Sequence, residues 1–589
     1  MSASAQENNK TENKASVIEE ELIQSPGRLA LTNFLSNKLA IIGMSTFAFI
    51  FICCFFLPVF FPLEVSHVDS YQQHIRPGLN LMRIPRELRN NGLRTMDIGS
   101  SFSVGVDNSN NIHVWGNTPQ EYDRSPMPRN MGNIVLISCG MDHVLALNDR
   151  GQVFTWGNNR LGLGTIPPEV SFANIIYVSA GTQISLAVDD EHNIHVWGNR
   201  NLIDVRPELF QGEVRQIVFN DSTAFALARD GHLYALSTRD ALLITGVPEW
   251  AQGRIQAVAT TRRDAAALLD DGTVYVWGNN TLGAHDIPEE IQGRVVDIGA
   301  GRAHFTVLLD DGTVASWGDN YYWQTKTPNI SGIRAIYIGA FQNYALNADG
   351  RFFTWGLPGY LMGTDNFGRD VFRRLLQGGR ISLTVGAIAV LISSIIGITL
   401  GGIAGFFHGK VDIIIMRLCE VVASIPFLPI VLILSIVVGA RLPNEARIVM
   451  IMIVLGFLNW PGITRLTRGQ ILVEREKEFV TAAKALGVKE RVIISRHILP
   501  NIFSVILVNV TISLATIMLF EATLAFLGFG VMEPAPSWGN MLQNLTSINI
   551  RYQWWRWVFP AVTLSFAVIS ISMIGDALRD AIDPKLNSR

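Results

Sequence analysis

The sequence predicts two fold classes in one chain. One is an α-helical polytopic membrane domain of six transmembrane helices. The other is an all-β seven-bladed propeller inserted into it. Three observations carry this. Of 589 residues, 48% are hydrophobic and only 16% charged, below the roughly 25% charged of soluble domains. The apolar residues gather in uncharged runs long enough to cross a bilayer. Between the first such run and the others, a Trp-Gly dipeptide recurs about every 40 residues, the period of propeller blades.

Residues 1–30 are rich in Ser, Asn, Glu and Lys and are expected to form a disordered cytoplasmic tail. The start lacks the pattern of a cleavable signal peptide. A first transmembrane segment is placed at 31–64, where Leu39 to Phe61 is uncharged and matches the roughly 30 Å hydrocarbon core. Arg28 and Lys38 precede it and Glu64 and Asp69 follow. The positive-inside bias therefore puts the N-terminus in the cytoplasm and residue 64 outside.

Residues 65–358 hold the repeat. Its copies end at Trp115-Gly116, Trp156-Gly157, Trp197-Gly198, Trp277-Gly278, Trp317-Gly318 and Trp355-Gly356, with a degenerate copy at Leu236-Ser237 filling the one doubled gap. Within a unit, VVDIGAG (295–301) and HFTVLL (304–309) alternate as half-buried strands do. Asp311-Gly312 supplies the hairpin turn, and VASWG (314–318) is the return strand. With their SAGTQISLAVDDEHNIHVWGN and GAGRAHFTVLLDDGTVASWGD strings, these units resemble bacterial regulator-of-chromosome-condensation repeats. Seven copies imply a ring whose ends lie close together, as insertion into a loop requires. The propeller histidines (His113, His143, His192, His195, His232, His285 and His304) are scattered, so a binding or scaffold surface is expected rather than an active site.

The last repeat runs into YLMGTDNFGRDVFRRLLQGGRISLTVG (360–386). An Asp or Asn before an apolar-periodic run is a helix N-cap signal. Phe372, Leu375 and Leu376 form one apolar face with Arg373 and Arg374 off it, as in a short helix on the membrane surface. Spans are then predicted at Ile381–Phe407, Ile413–Val438 (kinked by Pro426 and Pro429), Ile448 to Gly462, Ile502 to Gly530 and Val558 to Ile574. A loop after Gly462 carries eight basic residues, Arg465, Arg468, Arg475, Lys477, Lys484, Lys489, Arg491 and Arg496, and is assigned to the cytoplasm. Trp and Tyr of VMEPAPSWGNML (531–542) and RYQWWRW (551–557) are expected at the outer interface.

Gly363, Thr364, Asp365, Gly368, Arg369 and Asp370 resemble the signature of dipeptide, oligopeptide and nickel ABC-importer permeases, as does PSWGNML with Ser537, Trp538 and Gly539. The resemblance covers nearly everything outside the propeller and assigns 359–589 to a permease domain with five transmembrane helices. It extends to EFVTAAKALGVKERVIISRHILPN (478–501). There Ala482, Ala483, Gly487, Leu499 and Pro500 stand at the spacing of the permease motif that docks on an ATPase. Thr481 occupies the motif's acidic position and Glu478 lies three residues earlier on the same helical face. Gly487 is expected to break two short helices and Pro500 to end the second.

No phosphate-cradling G-x-x-x-x-G-K-[ST] loop is present. The chain is expected to be no enzyme, to need no cofactor or metal, and to draw energy from partners. The resemblance implies those partners: a homologous second permease, two ATP-binding subunits, an extracytoplasmic substrate-binding protein and membrane lipid. A balanced charge of -3 argues against nucleic acid. The expected function is one permease subunit of a plasma (cell inner) membrane importer for peptides, with nickel or oligosaccharides as other cargoes of the class. The competing function is a membrane-anchored recognition protein displaying the propeller. Glu420 and Glu521, acids in or near spans, are functional candidates. Met416, Met450 and Met452, and the four cysteines, are expected to serve packing.

Overall fold

The computed structural model describes residues 26–65, 68–117, 124–200, 205–221, 223–239, 246–438, 441–543 and 550–582. Most of the predicted tail, residues 1–25, and the final residues 583–589 lie outside them. The chain divides into two compact units, Val68–Asp370 and the segments on either side of it. The contact boundary thus falls after Asp370, so the GTDNFGRD stretch, which the sequence reading placed with the permease segment, packs with the β unit.

Among the described residues, the β unit contains seven antiparallel sheets of three strands, one with a short fourth strand. In a representative sheet, Val295–Ala300 pairs with His304–Leu309, which pairs with Val314–Gly318 so that Phe305 faces Trp317 and Val307 faces Ala315. All seven first strands carry a register shift at the same place, such as Val295/Asp297. A bulge there turns the second residue outward, which explains why Arg94, Val135, Ile176 and Val296 are exposed beside buried neighbours. The middle strands depart from the predicted half-burial: His304–Leu309 is buried on both faces. Neighbouring sheets sandwich it, and two of its polar atoms bond across or along the sheets, His304 Nε2 with Asn343 Oδ1 at 2.9 Å and Thr306 Oγ1 with Ser316 Oγ at 2.8 Å.

Each core joins one sheet to the next. Phe305 and Trp317 share a core with Ala266 and Val276 of the preceding sheet, and Tyr344 and Leu346 of the last sheet share one with Leu93 and Trp115 of the first. The Trp-Gly repeat has a physical reason. Trp317 Nε1 donates to the Ala284 carbonyl at 2.9 Å and Trp355 Nε1 to the Gln324 carbonyl at 2.9 Å, so these indoles pin the loop arriving from the sheet before, whereas Trp115 Nε1 donates to the Tyr344 hydroxyl at 3.1 Å. An acceptor offsets the cost of burying an indole N–H.

Among the described residues, the helical unit has five helices long and apolar enough to span a bilayer, plus a bent pair, Gly409–Ser424 with Phe427–Val437, that makes a sixth if counted as one span. The pair meets at 75° at Pro426, where the sequence places a kink. Two predicted boundaries are corrected. The expected surface helix before Ile381 is continuous with the span in one helix, Val371–Phe407. Arg374 is buried there, donating to both Glu533 carboxylate oxygens at 2.9 and 3.1 Å; this pairing compensates the burial. The return span does not stop near Gly462 but runs through Pro461 to Glu474. Arg465 and Arg468 therefore lie on a helix, and Arg468 Nη2 meets Asp412 Oδ2 at 2.6 Å.

These two long helices pack closely along Gly397, Gly401 and Gly405, which stand four residues apart. A Cβ at Gly401 would fall 2.6 Å from the Thr464 carbonyl oxygen, and one at Gly405 3.0 Å from that of Arg468. Small residues at this spacing let membrane helices approach backbone to backbone. The glycine spacing is a legible signal that the sequence reading passed over.

Candidate functional site

Three groups of sequence-predicted residues are brought to defined places. The first is Glu478–Pro500. Glu478–Ala485 is a helix of eight residues that ends in a glycine motif: the Gly487 N–H donates to Lys484 O at 3.0 Å and the Val488 N–H to Ala483 O at 3.1 Å. That pair of bonds needs a left-handed residue, and Gly487 has φ +75°. No atom lies within 4 Å of where its Cβ would stand, so conformation alone selects glycine. Val480 and Ala483 are buried with Phe406, Ile471, Ile493, Ile498 and Ile502. Glu478, Thr481, Ala482, Lys484 and Ala485 face outward. The two motif alanines thus divide, Ala482 open and Ala483 interior. Leu486, which the sequence reading did not single out, is 82% exposed beside them. Its position directly before the helix-ending glycine is the only sequence signal.

Pro500 does not end a second short helix. The run from Glu490 continues to Phe526, with a widened turn at Ile493–Ile498 where Leu499 N–H bonds Ile494 O. Pro500 sits in the first turn of Leu499–Phe526, where a missing N–H costs little. Behind this surface, Glu474 accepts from Lys477 Nζ at 2.6 Å, and Lys484 Nζ lies 4.8 Å from the centre of the Phe406 ring.

The second group is the GTDNFGRD loop. The Asp365 carboxylate accepts from the Phe367 and Arg369 N–H groups at 2.8 and 3.0 Å and from Arg369 Nε at 2.8 Å. Thr364 is fully buried. Its Oγ1 accepts from the Ile75 N–H at 2.8 Å and donates to the Gln72 carbonyl, and its own N–H donates to Ile75 O at 2.9 Å. The Asp69 N–H reaches Phe367 O at 3.0 Å and the His74 N–H Asp365 O at 3.1 Å. The stretch entering the β unit is therefore stitched to the stretch leaving it. The entering stretch also carries Tyr71 onto Arg302, whose guanidinium lies 3.9 Å over the ring and bonds Asp221 at 2.9 and 3.0 Å. Burial pushes the Tyr71 hydroxyl well above its ordinary pKa. Asp370 lies in a short bridge to Thr364, and Gly363 turns the chain with φ +75°.

The third group is Ser537-Trp538-Gly539. The sequence places this tryptophan at the lipid interface, but Trp538 is fully buried. Its Nε1 donates to Leu375 O at 3.0 Å and its backbone N–H to Ser382 Oγ at 3.2 Å. A Cβ at Gly379 would lie 2.5 Å from the indole, so the glycine makes room for it. Ser537 and Asn540 cap the short helix Trp538–Met541 reciprocally, and a Cβ at Gly539 would strike Ala522. Glu521 is buried here, accepting from Ser382 Oγ at 2.9 Å. Glu420, by contrast, is exposed and pairs with Arg417, which removes it as a buried acid. Met416, Met450 and Met452 pack against apolar cores.

Residues 397–588 match the family described as binding-protein-dependent transport system inner membrane component. Residues 25–78 match the N-terminal TM domain of oligopeptide transport permease C, and residues 134–162 and 295–324 the regulator of chromosome condensation (RCC1) repeat. The dipeptide transport system permease protein DppC of Bacillus subtilis is 40% identical over 224 residues, covering 38% of this chain and 68% of that protein. The oligopeptide transport system permease protein OppC of Haemophilus influenzae is 40% identical over 230 residues, covering 39% and 72%. Among solved structures, yeast RCC1 (Prp20) aligns at 15% identity with TM-score 0.35 over 52% of this chain and 88% of that one. The MetNI methionine ABC transporter aligns at 21% identity with TM-score 0.28, over 36% and 96%. With a relative this similar aligned over two thirds of its length, the chain belongs to the binding-protein-dependent transport permeases and carries RCC1-type repeats between its first and second long apolar helices.

Proposed function

We propose that this chain is one of two permease subunits of an importer for peptides, forming half of the transmembrane path and driven by two partner ATPases. The observation that carries it is the Glu478–Gly487 surface. It exposes Glu478, Thr481, Ala482 and Leu486 while Val480 and Ala483 root it in the core beside Phe406, Ile471 and Ile502. A push on that face reaches the long helices through packed side chains. The names of the dipeptide and oligopeptide relatives support the cargo. Glu478 stands in for the acidic contact that Thr481 lacks. Six spans, with the bent pair counted as one, put both termini in the cytoplasm and residues 68–370 outside. There the seven sheets close as a propeller that serves as a platform for the extracytoplasmic substrate-binding protein.

The importer reading requires an ATPase to co-purify with the chain from detergent extract. In reconstituted transporter, Gly487→Pro is expected to leave ATP hydrolysis running while peptide uptake falls to background. Normal uptake in that variant, or no co-purifying ATPase, sinks the reading. Excising residues 66–356 tests the platform: unchanged uptake and unchanged affinity for the binding protein would refute it.

A further inference from the structure

Among the described residues, three loops of the β unit are equivalent by their bonding. Each follows a Trp-Gly pair, and an Asn side chain accepts the N–H five residues on: Asn159 from Gly164 at 2.8 Å, Asn280 from His285 at 3.1 Å and Asn320 from Thr325 at 3.2 Å. Counting from that Asn, the third residue on is Gly162 in one loop, Gly283 in the second and Trp323 in the third. All three are left-handed, with φ +77°, +77° and +63°. Glycine takes this conformation freely, whereas a bulky residue is strained by it. A Cβ on Gly162 would meet nothing within 4 Å and one on Gly283 only the Asp286 side chain, at 3.0 Å, so no backbone or core atom stands at this position in either loop. Trp323 is accordingly 63% exposed, and Leu161 and Leu282, one residue before the two glycines, are also left-handed and 55% and 64% exposed. The fold thus holds three large apolar side chains out in strained loops.

These loops share one end of the sheets. Each starts beside the turn joining first and second strands: the Asn158 N–H bonds Asp142 O, Asn279 bonds Arg263 O and Asp319 bonds Ala303 O. Asp69 and Tyr71 meet Arg302 at that same end. Tyr322, next to Trp323, donates to Gln72 at 3.0 Å and packs with Tyr360. The chain leaves this end with no residue to spare, since Asp370 passes straight into the Val371–Phe407 helix. On the other side Val68 follows the Lys38–Phe60 helix by eight residues, at most about 28 Å of extended chain.

We propose that Trp323, Leu282 and Leu161 dock this end of the β unit onto the outer surface of the lipid bilayer. Trp prefers the headgroup layer, where its ring is half solvated. Exposed Lys326, whose N–H bonds the Trp323 carbonyl, supplies a cation for lipid phosphates. The inference rests on the membrane orientation given above but not on cargo or ATPase coupling, so uptake can fail while lipid contact persists. Phe172 provides a control. It is 91% exposed but lies at the opposite end of the sheets, near Ile175, whose N–H bonds Gly151 in the turn between second and third strands.

The experiment places the photoreactive residue benzoylphenylalanine at 323, 282 or 172 in the full chain, in native membranes. Irradiation is followed by mass spectrometry of the adducts. Phospholipid adducts at 323 and 282 are expected to exceed those at 172 by about tenfold or more, as interfacial residence predicts. Protein adducts in place of lipid at 323 and 282, or equal lipid yields at all three positions, overturn the proposal. Trp323→Gly guards against misfolding as an explanation. It copies the loops at 162 and 283, and is expected to fold normally while phospholipid adducts at 282 decline. Unchanged adducts at 282 in that variant also count against the proposal.

Discussion

The three stretches that resemble permease motifs fall into two kinds that do opposite things. Thr364, Asp365, Trp538 and Gly539 are enclosed: the polar atoms of the first three bond Gln72, Ile75, Phe367, Arg369, Leu375 and Ser382, and glycine clears space for a neighbour. Glu478, Thr481, Ala482 and Leu486 are turned out, with only Val480 and Ala483 holding the helix in place. A shared motif can therefore mark residues that build the protein or residues that present a surface. Burial tells which. Substitutions in the first set should be read in stability, and substitutions in the second in partner binding.

The largest effect is expected for Trp538→Ala. Removing a fully buried indole leaves a cavity worth about 3–5 kcal/mol, and the variant should lose most of its thermal stability in detergent. A melting curve like wild type would break the contrast. Thr364→Val keeps the shape but leaves the Ile75 N–H and the Gln72 carbonyl short of a partner. The cost is about 1–3 kcal/mol, read as faster hydrogen exchange at Ile75. Unchanged protection there would mean the stitch is not what holds residues 69–75.

Leu486→Asp sharpens the other side. Stability should shift by no more than about 0.5 kcal/mol, as at most exposed positions. Affinity for the ATPase partner should fall by about tenfold or more, as for an apolar anchor. Binding unchanged in a titration would move the contact away from this helix end. Gly487→Ala is the smallest, about 1 kcal/mol for forcing alanine into the left-handed region, appearing as fraying of Glu478–Ala485 in exchange. Gly487→Asn should cost less, because Asn tolerates that conformation; equal costs would mean that something other than φ selects glycine.

The repeat period, the Trp-Gly pairs and the long apolar runs were legible because each reports a local rule: a turn, an indole or a lipid-length helix. What escaped was set by contacts distant in sequence. Trp538 looked interfacial because composition does not tell that Gly378 and Gly379, over 150 positions earlier, leave a slot for it. The Gln72–Ile75 stretch carries no pattern of its own, and its meaning lies in Thr364. Arg465 and Arg468 suggested a loop because charge outweighed helix continuity, yet the Arg468–Asp412 pair shows a charge accommodated on a long helix. The bulge in all seven first strands was likewise invisible, since a one-residue shift in pairing leaves the apolar spacing nearly regular.

The stitching of residues 69–78 to 360–369 bears on how a permease tolerates so large a guest. For the flanking helices, the polymer length that must be closed is not the 68–370 contour but the short path across the bonded segments. The closure entropy of a loop grows only as the logarithm of its length, and a folded guest with adjacent ends removes even that. The host helices can then meet as if joined by a few residues, and the guest folds on its own schedule. Cutting the Thr364 bonds would restore the long contour. The penalty would then fall on the pairing of Lys38–Phe60 with Val371–Phe407, far from the side chain removed.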